Sequence, residues 1–234
     1  VSTPTPSAPS APSALSAPPT PQITDRHPLA LALFGLTMAS GLIDAVSYLG
    51  LGHVFTANMT GNVVVIAFAL AGAPGFSVAA SVTSLGAFLL GAVLAGRFTT
   101  GRRTGRLRTA LALEVALHGV AAAVAFAWTV EGSVARYAVI TLGAVAMGIR
   151  NGTVRALGVP DLTTTVLTLT LTGLAADSRL AGGTAPRQRR RILSVATMLA
   201  GAIPGAVLVL HGQLAWALVA GAALAGVTAL LYRE

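Results

Sequence analysis

Six apolar runs, at roughly 28–50, 77–96, 109–130, 134–150, 192–211 and 213–232, constrain the fold of this 234-residue chain more than any other feature. Each approaches the ~20 residues that carry an α-helix across the hydrocarbon core of a bilayer. Lipid offers no hydrogen bonds, so such runs must satisfy their own backbone polar groups, which a helix does. Only 9% of the residues are charged, against about a quarter in soluble domains. The chain is expected to be an all-α integral membrane protein, with the lipid bilayer as its first partner.

The net charge of +8 raises the question of nucleic acid, but all 15 basic residues are arginines and most stand in short loops between apolar runs. That is the positive-inside pattern of membrane topology, and no nucleic-acid partner is expected. Residues 1–27 contain seven of the 12 prolines and no long apolar run, so they are expected to form a disordered tail. The transmembrane domain then covers 28–234.

Two shorter apolar pieces, 59–73 and 165–177, decide the topology. Arg97, Arg102, Arg103, Arg106 and Arg108 mark one cytoplasmic loop, and Arg179, Arg187, Arg189, Arg190 and Arg191 mark another. When neither short piece crosses, both loops fall on one side together with Arg26, Arg150, Arg155 and Arg233. Trp128, Tyr137 and Trp216 then fall at the opposite interface, which favours amphipathic rings. The expected architecture is a helical bundle of six full spans plus two short re-entrant or broken helices. Both termini are then cytoplasmic, in the inner (plasma) membrane of a bacterium. Eight crossings are the alternative.

The segment "HVFTANMTGN", 53–62, is polar where a membrane protein usually places hydrocarbon. Its surroundings, "GLIDAVSYLGLGHVFTANMTGNVVV", can be laid over "GIRNGTVRALGVPDLTTTVLTLTLT" so that Asp44 meets Asn151. After a one-residue shift, Thr60 meets Thr168 and Asn62 meets Thr170. Each half, about 28–130 and 134–234, is then a span, a polar turn with a short helix, and two further spans. Three crossings per half turn the second copy upside down, giving the inverted 3+3 repeat of many transporters.

The pair "DAVSYLGLGHVFTANMTGN" and "GVPDLTTTVLTLTLTGLAAD" resembles the YoaK family of bacterial multi-pass membrane proteins, catalogued as a domain of unknown function. The resemblance covers nearly everything after the tail. It implies a multi-span fold and supplies neither a reaction nor a substrate.

Irregular backbone at membrane depth persists only where protein or a wet cavity surrounds it. Gly50, Gly52 and Gly61 around the first motif, and Gly158 with Pro160 before the second, predict such backbone. Thr56, Asn58, Thr60 and Asn62 are therefore expected to face Thr163, Thr164, Thr165 and Thr168 across a midplane site for a small polar solute. The competing reading is that these side chains only cap helices and bind neighbouring spans. Helix N-termini at such a site would favour an anionic group on the solute.

Asp44, inside the first span, needs a partner or a function, because a carboxylate there costs roughly 2.5–3.5 kcal/mol. It is a candidate for proton or ion coupling, or for a structural hydrogen bond to the following turn. Glu114 and His118 are four apart and share a helix face, which suits a proton relay or, more simply, a structural pair. Asp161 reads as an N-cap, while Arg150 and Arg155 either neutralise Asp161 or Asp177 or sit at the cytoplasmic interface.

Cysteine is absent, which excludes disulfides and a cysteine nucleophile. No metal spacing, catalytic triad or phosphate-binding loop appears, so no enzyme activity, metal or cofactor is expected. The sequence points to a small secondary transporter or permease, with a non-transporting scaffold or sensor as the alternative. Small residues at every fourth position, such as Ala87, Gly91 and Ala95, allow close helix contact within the chain or in a homo-oligomer.

Overall fold

The computed structural model describes residues 24–99, 105–157, 167–185 and 187–232. The expected tail up to residue 23 lies outside them, as do Asp161, Thr163, Thr164 and Thr165. Among the described residues all regular structure is helical: α1 Pro28–Gly50, α2 Met59–Leu70, α3 Val78–Thr99, α4 Arg106–Ala127, α5 Val134–Leu157, α6 Leu167–Ala176, α7 Gln188–Leu210 and α8 Leu214–Leu231. A single 3-10 turn, Arg179–Ala181, precedes α7.

Among the described residues five helices (α1, α3, α4, α7 and α8) are long and apolar enough to cross a membrane. The sixth long helix, α5, has 24 residues but carries Arg136, Arg150 and Arg155. It runs past the expected end of its span because Arg150 does not reach an interface: its side chain is wholly buried and ion-paired. At 1.5 Å per residue, the 12 residues of α2 and the 10 of α6 rise only about 18 and 15 Å, half a hydrocarbon core.

Two apolar clusters define the ends of the bundle. One joins Leu51 after α1, Ala80 near the start of α3, Ala121 and Ala122 late in α4, Val139 and Ile140 early in α5, and Ala217 early in α8. The other joins Leu29 and Leu33 of α1, Leu107 and Leu111 of α4 and Val154 of α5, with Leu193 of α7 and Tyr232 packed on it. Helices α1, α4 and α7 thus run one way, and α3, α5 and α8 the other. The chain leaves α1 and enters α3 at the same end of the bundle, so α2 lies on an excursion that returns to that end. By the same token α6 returns between α5 and α7.

The second end is the arginine-rich one. Arg106, Arg155, Arg187 and Arg189 lie there, and Arg190 bonds Asp25 just before α1 at 2.8 Å. Trp128 and Trp216 mark the first end, lining one surface cleft, with Trp216 edge-on to Phe126 at 5.3 Å.

Helix α3 lies along α5, α1 along α7, and α4 packs against both α5 and α8. Glycines set the two closest crossings. A Cβ at Gly41 would strike the Met198 carbonyl, and one at Gly201 the Met38 carbonyl; at the other crossing Gly148 stands against Phe88 and Gly91 against Val145 in the same way. These small-residue contacts are therefore internal to the chain.

Candidate functional site

Past α1 the backbone turns through left-handed conformations at Gly52 and His53, with φ of 85° and 58°. The His53 N–H still bonds the Tyr48 carbonyl at 3.0 Å, closing the helix. The chain then runs irregularly to Asn58, whose Oδ1 caps α2 by accepting the Gly61 N–H at 3.3 Å. The absence of a side chain at Gly61 lets the Phe55 ring lie directly on α2. Phe55 in turn stacks on Tyr48, with ring centroids 4.7 Å apart.

This turn forms one wall of a cleft of about 540 Å³. Asp44 and Tyr48 from α1, Phe55 and Asn58 from the turn, and Thr60 and Phe68 from α2 face Leu167 and Thr168 of α6 and Met198 of α7. The two short helices thus meet at one cavity. Of the expected solute-site residues it brings together Asn58, Thr60 and Thr168, and Asp44 stands beside them.

The other two polar residues of the first motif are not among the cleft residues. Asn62 is wholly buried, and its carboxamide clamps the backbone of the turn: Oδ1 accepts the Phe55 N–H at 2.9 Å and Nδ2 donates to the Phe55 carbonyl at 2.6 Å. Ser84 of α3 donates to that same carbonyl at 2.6 Å. Thr56 is buried with no hydrogen bond to its hydroxyl, while its N–H donates to Ser47 Oγ at 3.3 Å.

Two substitutions separate these roles. Asn62→Ala removes both bonds that order the turn and is expected to cost about 1–3 kcal/mol, seen as a lower unfolding midpoint in detergent. Thr56→Val removes a buried hydroxyl that has no partner, so its stability is expected to match or exceed that of the parent.

Glu114 and His118 sit deep in the bundle rather than at the cleft. Glu114 Oε1 receives Arg150 Nη1 at 2.9 Å, and both side chains are wholly buried. The second arm of the guanidinium, Nη2, donates to Ser40 Oγ on α1 at 2.5 Å. His118 Nδ1 lies 3.1 Å from the main-chain carbonyl of Glu114, not from its carboxylate. The two residues share a helix face, but their side chains bond neither as a relay nor as the simpler structural pair; the contact is to the Glu114 main chain. Arg150 likewise reaches neither an interface nor Asp177, whose Oδ2 pairs with Arg191 at 2.7 Å. Arg155 is exposed.

Asp44 is treated differently. Its Oδ1 is buried and accepts no hydrogen bond, although the main-chain N–H groups of Ala57 and Asn58 face the carboxyl group and the charge of Arg150 reaches it. The aromatic walls and Met198 have no counterpart in the sequence reading. Apolar residues beside a polar motif look like core, and only the fold brings Phe68 and Met198 to the same opening.

Comparison with known proteins agrees with this architecture. The chain is 35% identical over 147 residues to the UPF0700 transmembrane protein YoaK of Bacillus subtilis (strain 168), a match covering 61% of this chain and 64% of the relative. The chain thus aligns with a little under two thirds of that relative's length. No solved structure matches. The family model described as a protein of unknown function, DUF1275, matches residues 32–231. Because that match runs from the second turn of α1 to the end of α8, taking in both short helices and the cleft between them, the chain belongs to the DUF1275 family, that of the transmembrane protein YoaK.

Proposed function

We propose that the chain is a small secondary transporter or permease that moves a polar solute through the cleft between α2 and α6. Six helices cross the membrane, α5 included, and the arginine-rich end with both termini faces the cytoplasm of the inner membrane. The observation that carries the reading is the cavity itself: residues of two separate polar motifs, Thr60 and Thr168 above all, line one opening. Transporter folds of this plan place their sites where broken helices from two inverted halves meet.

The helix pairing supports an inverted repeat. Exchanging α1 with α5, α3 with α7 and α4 with α8 maps the α1–α7 pair onto α5–α3 and the α1–α8 pair onto α5–α4, all of which are packed. The register that sets Asp44 on Asn151 also sets Gly41 on Gly148, and those two glycines make the equivalent crossings. It sets Ile43 on Arg150 as well, and laying α4 on α8 at the same offset sets Glu114 on Gly221. Ile43 packs against Gly221 where Arg150 bonds Glu114. One contact occurs twice, once apolar and once as an ion pair.

Thr60→Val with Thr168→Val tests the site while keeping side-chain shape. Each lost hydrogen bond is worth about 0.5–1.5 kcal/mol, so the double variant is expected to weaken solute binding about tenfold. The readout is thermal shift and proteoliposome uptake with glycerol, ethylammonium and acetate as probes. Absence of binding and uptake for every probe, with a protein partner retained on purification, would instead establish a scaffold.

A further inference from the structure

The charge of the cleft specifies what it takes. A solute anion at α2 would need free N–H groups in the first turn of that helix. Several of those groups are already engaged. The Gly61 N–H is held by Asn58 Oδ1 at 3.3 Å and the Asn62 N–H by the Asn58 carbonyl at 3.3 Å. The N–H groups of Ala57 and Asn58 face Asp44. The chain thus supplies its own carboxyl group where an anion would bind.

Among the described residues no arginine lines the cleft, and Asp44 is the one ionisable group there apart from Tyr48. Arg150, whose charge reaches Asp44, is bonded to Glu114 and Ser40. Two carboxyl groups thus share a single guanidinium, and Glu114 holds it. Asp44 keeps a buried oxygen that accepts no hydrogen bond. Tyr48, Phe55 and Phe68 line the same cleft, and an aromatic face open to it attracts a cation by about 0.5–2 kcal/mol.

We propose that the cleft binds a small organic cation bearing an ammonium group, with Asp44 as its counter-ion and the rings of Tyr48, Phe55 and Phe68 among its walls. The ammonium supplies the counter-charge that Asp44 lacks, while Asn58, Thr60 and Thr168 accept hydrogen bonds from its N–H groups or bind a polar substituent. An inorganic cation would seek a shell of oxygens throughout, whereas apolar side chains such as Phe55, Val64, Phe68, Leu167 and Met198 make up much of this wall.

This inference rests on the cleft being the solute site, and the test separates the two claims. Titration calorimetry on the purified full chain uses tetramethylammonium, ethylammonium, glycerol, acetate and sodium as probes. The ammonium compounds are expected to bind at least tenfold more tightly than glycerol, acetate or sodium. Asp44→Asn is expected to abolish that preference, and Asp44→Glu to retain part of it. Acetate, glycerol or sodium binding that is lost in Thr60→Val/Thr168→Val, without ammonium binding, would overturn the cation assignment and leave the solute site standing. Ammonium binding unchanged in Asp44→Asn would overturn the assignment too. Failure of every probe to bind would overturn both claims. The preference among probes is measured on the unmutated chain, so it decides even where Asp44→Asn does not fold.

Discussion

Arg150→Met is expected to destabilise the protein by about 3–5 kcal/mol, because it strands the Glu114 carboxylate without a partner inside the bundle. Glu114 is wholly buried, and Oε1 has its 2.9 Å bond to Arg150 as its partner. Its second oxygen accepts none. The loss also frees Ser40, tied to the same guanidinium from α1. The pair therefore joins three helices, α1, α4 and α5. An ion pair of this kind is costly to break and much less costly to replace whole, since two desolvated charges gain little over a packed apolar contact. The sister contact suggests the replacement. Introducing Arg150→Ile together with Glu114→Gly copies the Ile43–Gly221 packing and is expected to recover most of the loss. Unfolding midpoints of the single and double variants in mixed micelles give the coupling. Equal and additive losses would mean that the two contacts are not equivalent.

Gly148→Leu is expected to be at least as damaging, and Gly41→Leu equally so. Overpacking a core usually costs about 1–3 kcal/mol because side chains rearrange. Here the obstruction is backbone: the Phe88 carbonyl at Gly148 and the Met198 carbonyl at Gly41. A helix axis cannot step aside without parting α3 from α5 or α1 from α7, the two most extensive pairings in the bundle. Both variants are expected to lose the folded, monodisperse protein in detergent. Gly86→Ala and Gly119→Ala are the controls: a Cβ at either meets no atom within 4 Å, so removing backbone freedom is expected to leave stability equal or raised by up to about 1 kcal/mol.

Much of this fold is legible from the chain because length and charge act locally. The expected start and end of the first span, 28 and 50, are those of α1, and the short pieces were identified by arginines that could not otherwise share one side. The end of α5 was missed for a physical reason. Arginine in an apolar run normally marks an interface, and the partner that keeps Arg150 inside lies 36 residues earlier on α4. Sequence spacing describes one helix face and cannot reveal a contact between two.

The same limit divides the polar motif. Threonine and asparagine suit a cap, a clamp or a solute site equally well, so Asn62 and Asn58 look alike in sequence. The fold separates them: Asn62 bonds Phe55 on both sides of its peptide groups, whereas Asn58 caps α2 and still borders the cleft. Asp44 was singled out by its cost in lipid. That it supplies the charge at the start of α2 depends on how the chain folds back after Gly52.

The central claim is that two short helices, entering from opposite faces, bring Thr60 and Thr168 to one cavity. The chain contains no cysteine, so Thr60→Cys with Thr168→Cys places two unique thiols there without background. Treatment of membranes with a short homobifunctional thiol reagent is expected to produce an intramolecular cross-link, slowed by a bound cleft probe. Both thiols reacting singly with a maleimide while no cross-link forms at any spacer length matched to the cavity would contradict the account.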